Sequence, residues 1–261
     1  MRLKIRELLL ELKFSGMIEV LDSVLDNAHA TAPSPEEVLH QLLCEETRYR
    51  QEKSLEYRIK QARLPWDWSL DTFPFEHQPG VNASQIRSLA GLDFMNKAEN
   101  LVFIGPPGTG KTGLAIGLAR KAALNGFRVR FYNAQDLLDE LYTSLADRAT
   151  SRLLKRLANY DLLVIDELGY LSLKPEQANS FFKLMEMRYN RKPTIITTNL
   201  GYESWYQLFK RKSLVDALLD RLKHHCITLE INGPSLRAPL NAAAKKQPAK
   251  RSKTTPKEDK K

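Results

Sequence analysis

The feature that most constrains this chain is Gly105-Pro106-Pro107-Gly108-Thr109-Gly110-Lys111-Thr112, which fits the pattern G-x-x-x-x-G-K-[ST]. Its surroundings suit it. Residues 101–104 read as a buried strand before the loop, and residues 111–124 as a helix after it. Glycines let successive backbone N–H groups curl round an anion with no Cβ in the way. The start of the following helix adds its dipole to the attraction. Lys111 is then placed to reach the β- and γ-phosphates of ATP, Thr112 to offer its hydroxyl to Mg²⁺, and Gly113 to continue the wall.

A strand, such a loop and a helix imply an α/β domain, and the rest of the pattern agrees. Strands are expected at 128–132, 162–165, 194–198 and 227–231, and helices at 136–145, 151–157, 181–188 and 214–222. Five strands with helical crossovers make a three-layer domain around a parallel sheet over residues 99–240. Before it, residues 3–26 carry apolar side chains at three- and four-residue spacing, with a break expected at Ser15-Gly16. Ser34 and Pro35 then cap a long helix that Pro65 ends. Residues 1–64 therefore read as a small all-helical domain. Residues 65–98 form an irregular connector whose Trp66, Trp68, Phe73 and Phe75 either pack on the next domain or cover the base of a bound nucleotide.

Further candidates follow from position along the strands. The run 162–165 is apolar throughout and delivers Asp166 and Glu167 to the carboxyl end of a central strand, 55 residues beyond Lys111. Asp166 would hold Mg²⁺, and Glu167 would orient and polarise an attacking water. Asn199 ends the next strand, where it either hydrogen-bonds that water or the γ-phosphate, or closes an Asx turn. Arg221 lies at the end of a helix, either to complete a neighbouring subunit's site or as a surface cation favourable to the helix dipole. His224-His225-Cys226 lacks a second cluster with ligand spacing, and the expectation is no metal beyond Mg²⁺.

Composition adds limits. Of the 261 residues, 43% are hydrophobic, enough for a sizeable core. The net charge is +9, but eight Lys or Arg in 245–261 against Glu258 and Asp259 put six of those charges in the tail. The body is only mildly basic, and residues 241–261, with no apolar face, are expected to be disordered. Residues 46–64 hold Arg48, Arg50, Lys53, Arg58, Lys60 and Arg63 against three glutamates. That helix either tracks DNA phosphates or is a solvated face with internal ion pairs. Two cysteines, no leader-like start and no apolar run of membrane-spanning length fit a soluble cytoplasmic protein.

Together these residues resemble the IstB-type transposition helper ATPases, relatives of the bacterial helicase loaders in the initiator clade of AAA+ proteins. The likeness rests on the loop at 105–112, "DLLVIDELGYL" at 161–171, "TIITTN" at 194–199, "ALLDRLKHH" at 217–225 and "GPSLR" at 233–237. "LKFSGMIEVLDSVL" at 12–25 and "SPEEVLHQLL" at 34–43 are similar to the helical domain of that family. The resemblance implies a sensor role for Asn199, an arginine finger acting in trans for Arg221, and a second sensor, bound to the nucleotide, for Arg237. Leu236 stands where the family has Tyr. It also implies a minimal or absent helical lid, ATP-dependent homo-oligomers on duplex DNA, and a transposase partner of the IstA integrase type. The principal rival is a replicative helicase loader, acting on a hexameric helicase and single-stranded DNA. A small-molecule kinase and a DNA-binding module with a vestigial nucleotide site are further rivals.

Overall fold

The computed structural model describes residues 1–169 and 173–237. The tail at 241–261, any lid beyond Arg237, and the Tyr170-Leu171 end of the "DELGYL" stretch lie outside the described residues.

Three helices come first: α1 (Arg2–Glu11), α2 (Ser15–Thr31) and α3 (Pro35–Ala62). The break between α1 and α2 falls at residues 12–14, where Lys13 has a φ of 58°, and not at Ser15-Gly16 as expected. Gly16 lies inside α2 because the helices cross there: a Cβ on it would come within 2.6 Å of Tyr49 Cβ on α3. At α3 the caps act as the sequence predicts. The Ser34 hydroxyl accepts from Glu37 N, the Glu37 carboxylate accepts from Ser34 N, and Pro35 occupies the first helical position. The last turn of α3 joins the core of the following domain, where Ala62 is fully buried. Arg130 Nη1 donates to Gln61 O at 3.1 Å, and Arg58 Nε donates to Ala123 O at 3.3 Å.

The connector contains two short helices, α4 (Ala83–Leu89) and α5 (Asp93–Asn96), that the sequence reading left irregular. Then follow β1 (Asn100–Ile104), α6 (Lys111–Leu124), β2 (Val129–Asn133), α7 (Ala134–Ala146), α8 (Thr150–Ala158) and β3 (Leu162–Asp166). α9 (Pro175–Arg188), β4 (Thr194–Thr198), α10 (Tyr202–Phe209), α11 (Lys212–His224) and β5 (Cys226–Glu230) complete the order. α9 begins six residues earlier than expected, with Pro175 at its first position and the Gln177 side chain accepting from Lys174 N. α10 was not anticipated; its Trp205, Leu208 and Phe209 are buried at helical spacing.

All five strands are parallel, in the order β2-β3-β4-β1-β5. Alternation of side chains along each strand creates the two faces. Leu101, Phe103, Val164 and Ile195 point to the layer of α6 and the end of α3. Val102, Leu163, Ile165 and Ile196 point to the layer of α7 to α11. β3 is buried along its whole length, as a central parallel strand requires. Among the described residues no helix is long and apolar enough to cross a membrane.

Candidate functional site

The parallel sheet brings the carboxyl ends of β1, β3 and β4 side by side, and the glycine-rich loop leaves β1 at that edge. Gly105 N donates to Thr198 O on β4 at 3.2 Å, which anchors the loop to the sheet. Gly108 and Gly110 have φ of 82° and 92°, a region that costs other residues strain. Lys111 Nζ donates to Gly105 O at 2.8 Å and Pro106 O at 2.7 Å, so the ammonium is held inside the curl of the loop. Burial holds the Lys111 pKa below its ordinary value.

Opposite the loop stands the end of β3. Asp166 is buried, and its Oδ1 accepts from Thr112 Oγ1 at 2.9 Å and from Thr197 Oγ1. Burial raises its pKa, although both hydroxyls favour the ionised form. A hydroxyl and a carboxylate side by side are hard oxygen donors, the set that suits Mg²⁺. Glu167 follows in the left-handed region, φ 61°. This twist turns its side chain out of the strand and into the open. Thr197 Oγ1 accepts from its N–H at 2.9 Å, and Asn133 Nδ2, at the end of β2, donates to Oε2 at 3.2 Å.

Lys111, Thr112, Glu167 and Thr197 line one cavity of about 600 Å³, with Asp166 behind Thr112 and Thr197. Its floor is Gly108, Gly110, Lys111, Thr112 and Gly113, with Pro107 at one side. Glu167, Thr197, Thr198 and Asn199 form the wall at the sheet edge, and Leu236 and Arg237 a second wall. The connector supplies the rest: Trp66 and Trp68 stack at 4.8 Å between centroids, and Phe73 sits beside them. Gly113 admits this roof, since a Cβ there would lie 3.3 Å from the Trp68 ring. An aromatic end and a polar, cationic end in one cavity match a base and a phosphate chain.

Residues 7–244 match the family model described as IstB-like ATP binding protein. The chain belongs to this family. It is 39% identical over 230 residues to an ATP-binding protein of insertion sequence IS21 from Pseudomonas aeruginosa, covering 88% of this chain and 87% of that one. It is 35% identical over 237 residues to its counterpart in insertion sequence IS5376 of Geobacillus stearothermophilus, covering 91% and 94%. Among solved structures, the DnaC helicase loader superposes with a TM-score of 0.54 at 27% identity, over 64% of this chain and 97% of that one. DnaA from Aquifex aeolicus, solved with AMPPCP, superposes with a TM-score of 0.55 at 21% identity, over 65% of this chain and 51% of that one, which speaks to the AAA+ fold.

Within this IstB-like chain, the sequence candidates divide by place. Gly105 to Gly113, Asp166, Glu167, Asn199 and Arg237 gather at the loop and the sheet edge. Arg221 does not line the cavity. It sits on α11, where its Nη2 donates to Glu186 Oε1 at 3.3 Å and its guanidinium lies 6.0 Å above the Tyr189 ring. On α3, Arg48, Arg50 and Lys53 pair with Glu45, Glu46 and Glu56 of the same helix, and Arg58 is turned to Ala123. Lys60 and Arg63 join none of the ion pairs among the described residues. His224 contacts Tyr189, and no group of three metal-ligating side chains occurs among the described residues. The Cys226 thiol is pushed up to about 11 by burial.

Sequence reasoning missed Thr197, Asn133 and Gln78. Thr197 carried a faint signal, a hydroxyl inside a fully buried strand. Asn133 pairs in register with Asp166, which only the sheet order reveals.

Proposed function

We propose that this protein is a cytoplasmic, Mg²⁺-dependent ATPase that assembles as a homo-oligomer on duplex DNA and assists the transposase of an insertion sequence. The observation that carries the reading is the single cavity in which the phosphate cradle, the Thr112–Asp166 pair and Glu167 converge. The insertion-sequence names of the relatives support the biological setting.

In the hydrolytic step Lys111 leaves the loop carbonyls for the β- and γ-phosphates. Thr112 and Asp166 would hold Mg²⁺, which would neutralise phosphate charge. Glu167 orients a water and accepts its proton as the water oxygen bonds the γ-phosphorus and the β–γ bridging oxygen departs with ADP. Asn199 steadies the water or the γ-phosphate, and Arg237 contacts the phosphates from the opposite wall. Arg221, away from its own cavity, is free to reach a neighbour's.

For DNA, the ion pairs along α3 take up Arg48, Arg50 and Lys53, and among the described residues Lys60 and the neighbouring Arg63 join none. A second concavity of about 420 Å³ opens before α8 and is lined by Arg148, Arg152 and Lys155 beside Asp147 and Ser151. None of those three cations joins an ion pair among the described residues, so they are available to phosphates. The likeness to the DnaC loader favours a second reading, helicase loading. Sedimentation of the full chain with duplex or single-stranded DNA, in ATP or ADP, separates them. ATP-dependent assembly on duplex supports the first reading; a preference for single strands overturns it.

A further inference from the structure

Where a phosphate cradle points an N–H inward, the carbonyl of the same peptide turns outward and, if buried, needs a donor there. Gly105 O and Pro106 O are taken by Lys111, whereas Gly108 O and Thr109 O are met from outside. Thr109 O meets Gln78 Nε2 at 3.1 Å, and Gly108 O meets Leu236 N at 2.8 Å. Gln78 is fully buried and lies behind the loop, outside the cavity lining. Its second Nε2 hydrogen goes to Pro234 O at 2.9 Å, and its Oε1 faces Gly80 N at 3.4 Å. One side-chain amide thus joins the connector, the loop and the segment that carries Arg237.

A trans peptide is planar, and its C=O and N–H point in opposite directions. The bond from Gln78 to Thr109 O therefore sets the direction of Gly110 N–H, which is aimed away from Gln78 and into the cavity. Gly110 has no Cβ and a positive φ, so nothing in the residue itself prevents that peptide from turning over. We propose that Gln78 is a positioning residue for nucleotide binding: it locks the Thr109–Gly110 peptide so that the Gly110 N–H faces the phosphates. This rests on the reading of the cavity as the ATP site. Any bound nucleotide with a β-phosphate uses that N–H, so ATP and ADP depend on Gln78 alike.

The test is calorimetric titration of the full chain with ADP and with a non-hydrolysable ATP analogue, well below the melting temperature. Gln78→Leu keeps the bulk and removes both donors. Gly233→Ala displaces Gln78 without altering it, because the new methyl would occupy the position of Oε1. Both variants should bind both nucleotides about tenfold more weakly, the scale of one hydrogen bond to a charged group. In hydrolysis KM should rise with kcat nearly unchanged. If Gln78→Leu does not fold, Gly233→Ala carries the test. Affinities equal to those of the parent protein, even with a lowered melting temperature, would show a purely structural residue and overturn the proposal. Loss for the ATP analogue alone would also overturn it, since that would trace to Arg237. Lys111→Ala, run alongside, must lose both nucleotides; if it does not, the fault lies with the site itself.

Discussion

Asp166→Asn should make the nucleotide-free protein more stable while disabling it. Asp166 is only 4% exposed. Its hydrogen bonds come from two neutral hydroxyls, while Glu167 lies close by with like charge. Burial outweighs the hydroxyls and raises its pKa. A neutral amide keeps an oxygen for Thr112 and Thr197 and removes the buried charge. Relief of one such functional compromise is worth about 1 kcal/mol, or roughly 2–4 °C in Tm for a domain of this size. The sign can be followed with pH. A carboxyl that holds its proton more tightly when folded destabilises the fold above its folded pKa, and the penalty vanishes as pH falls toward the ordinary value of 3.8. Scanning calorimetry without nucleotide should therefore show the variant ahead near neutral pH, with the gap closing in acid. Adding MgATP should reverse the order, because ligand stabilisation follows affinity. A variant that melts below the parent at neutral pH without nucleotide would refute the argument and make Asp166 a structural carboxylate.

Glu167→Gln should retain ATP and lose turnover, and near-normal phosphate release would place the base elsewhere. Arg221→Ala should bind ATP normally yet fail to hydrolyse it; mixed with Lys111→Ala, it should regain measurable activity from the loss of ~10³-fold expected for a missing arginine finger. A co-assembled but inactive mixture would turn attention to Arg211, which donates to Asn179 at 2.9 Å. Arg188→Met strips donors from Leu157 O, Tyr160 O, Pro193 O and Thr194 Oγ1 in the core, and should cost roughly 3 kcal/mol or more in urea unfolding. Deleting 244–261 should weaken DNA binding and flatten its salt dependence, and an unchanged slope would mean that the tail never meets phosphate.

The centre of the sheet was legible because β1 and β3 are short, almost wholly apolar runs, and the loop at 105–112 announces both its neighbours. Long-range polar contacts were not. Gln78 sits 31 residues from Thr109 and 156 from Pro234, separations across which no local pattern operates. The charged face of α3 looked equally suited to DNA or to itself, and only side-chain geometry showed the glutamates taking Arg48, Arg50 and Lys53. α10 was overlooked because its eight residues offer barely two turns of periodicity.

One consequence of the way α3 is mounted concerns leverage. Its 28 residues make a rod about 42 Å long, and only the last turns are bolted down, onto β2 and onto the helix that starts with Lys111. The strap running on from its foot, Trp66 to Phe73, is the roof of the nucleotide cavity. A tilt of only about 5° at that foot would swing the far end, with α2 riding on it, through roughly 4 Å. Small rearrangements around a phosphate would thus be read out at the outer edge of the molecule as a stroke large enough to make or break a contact.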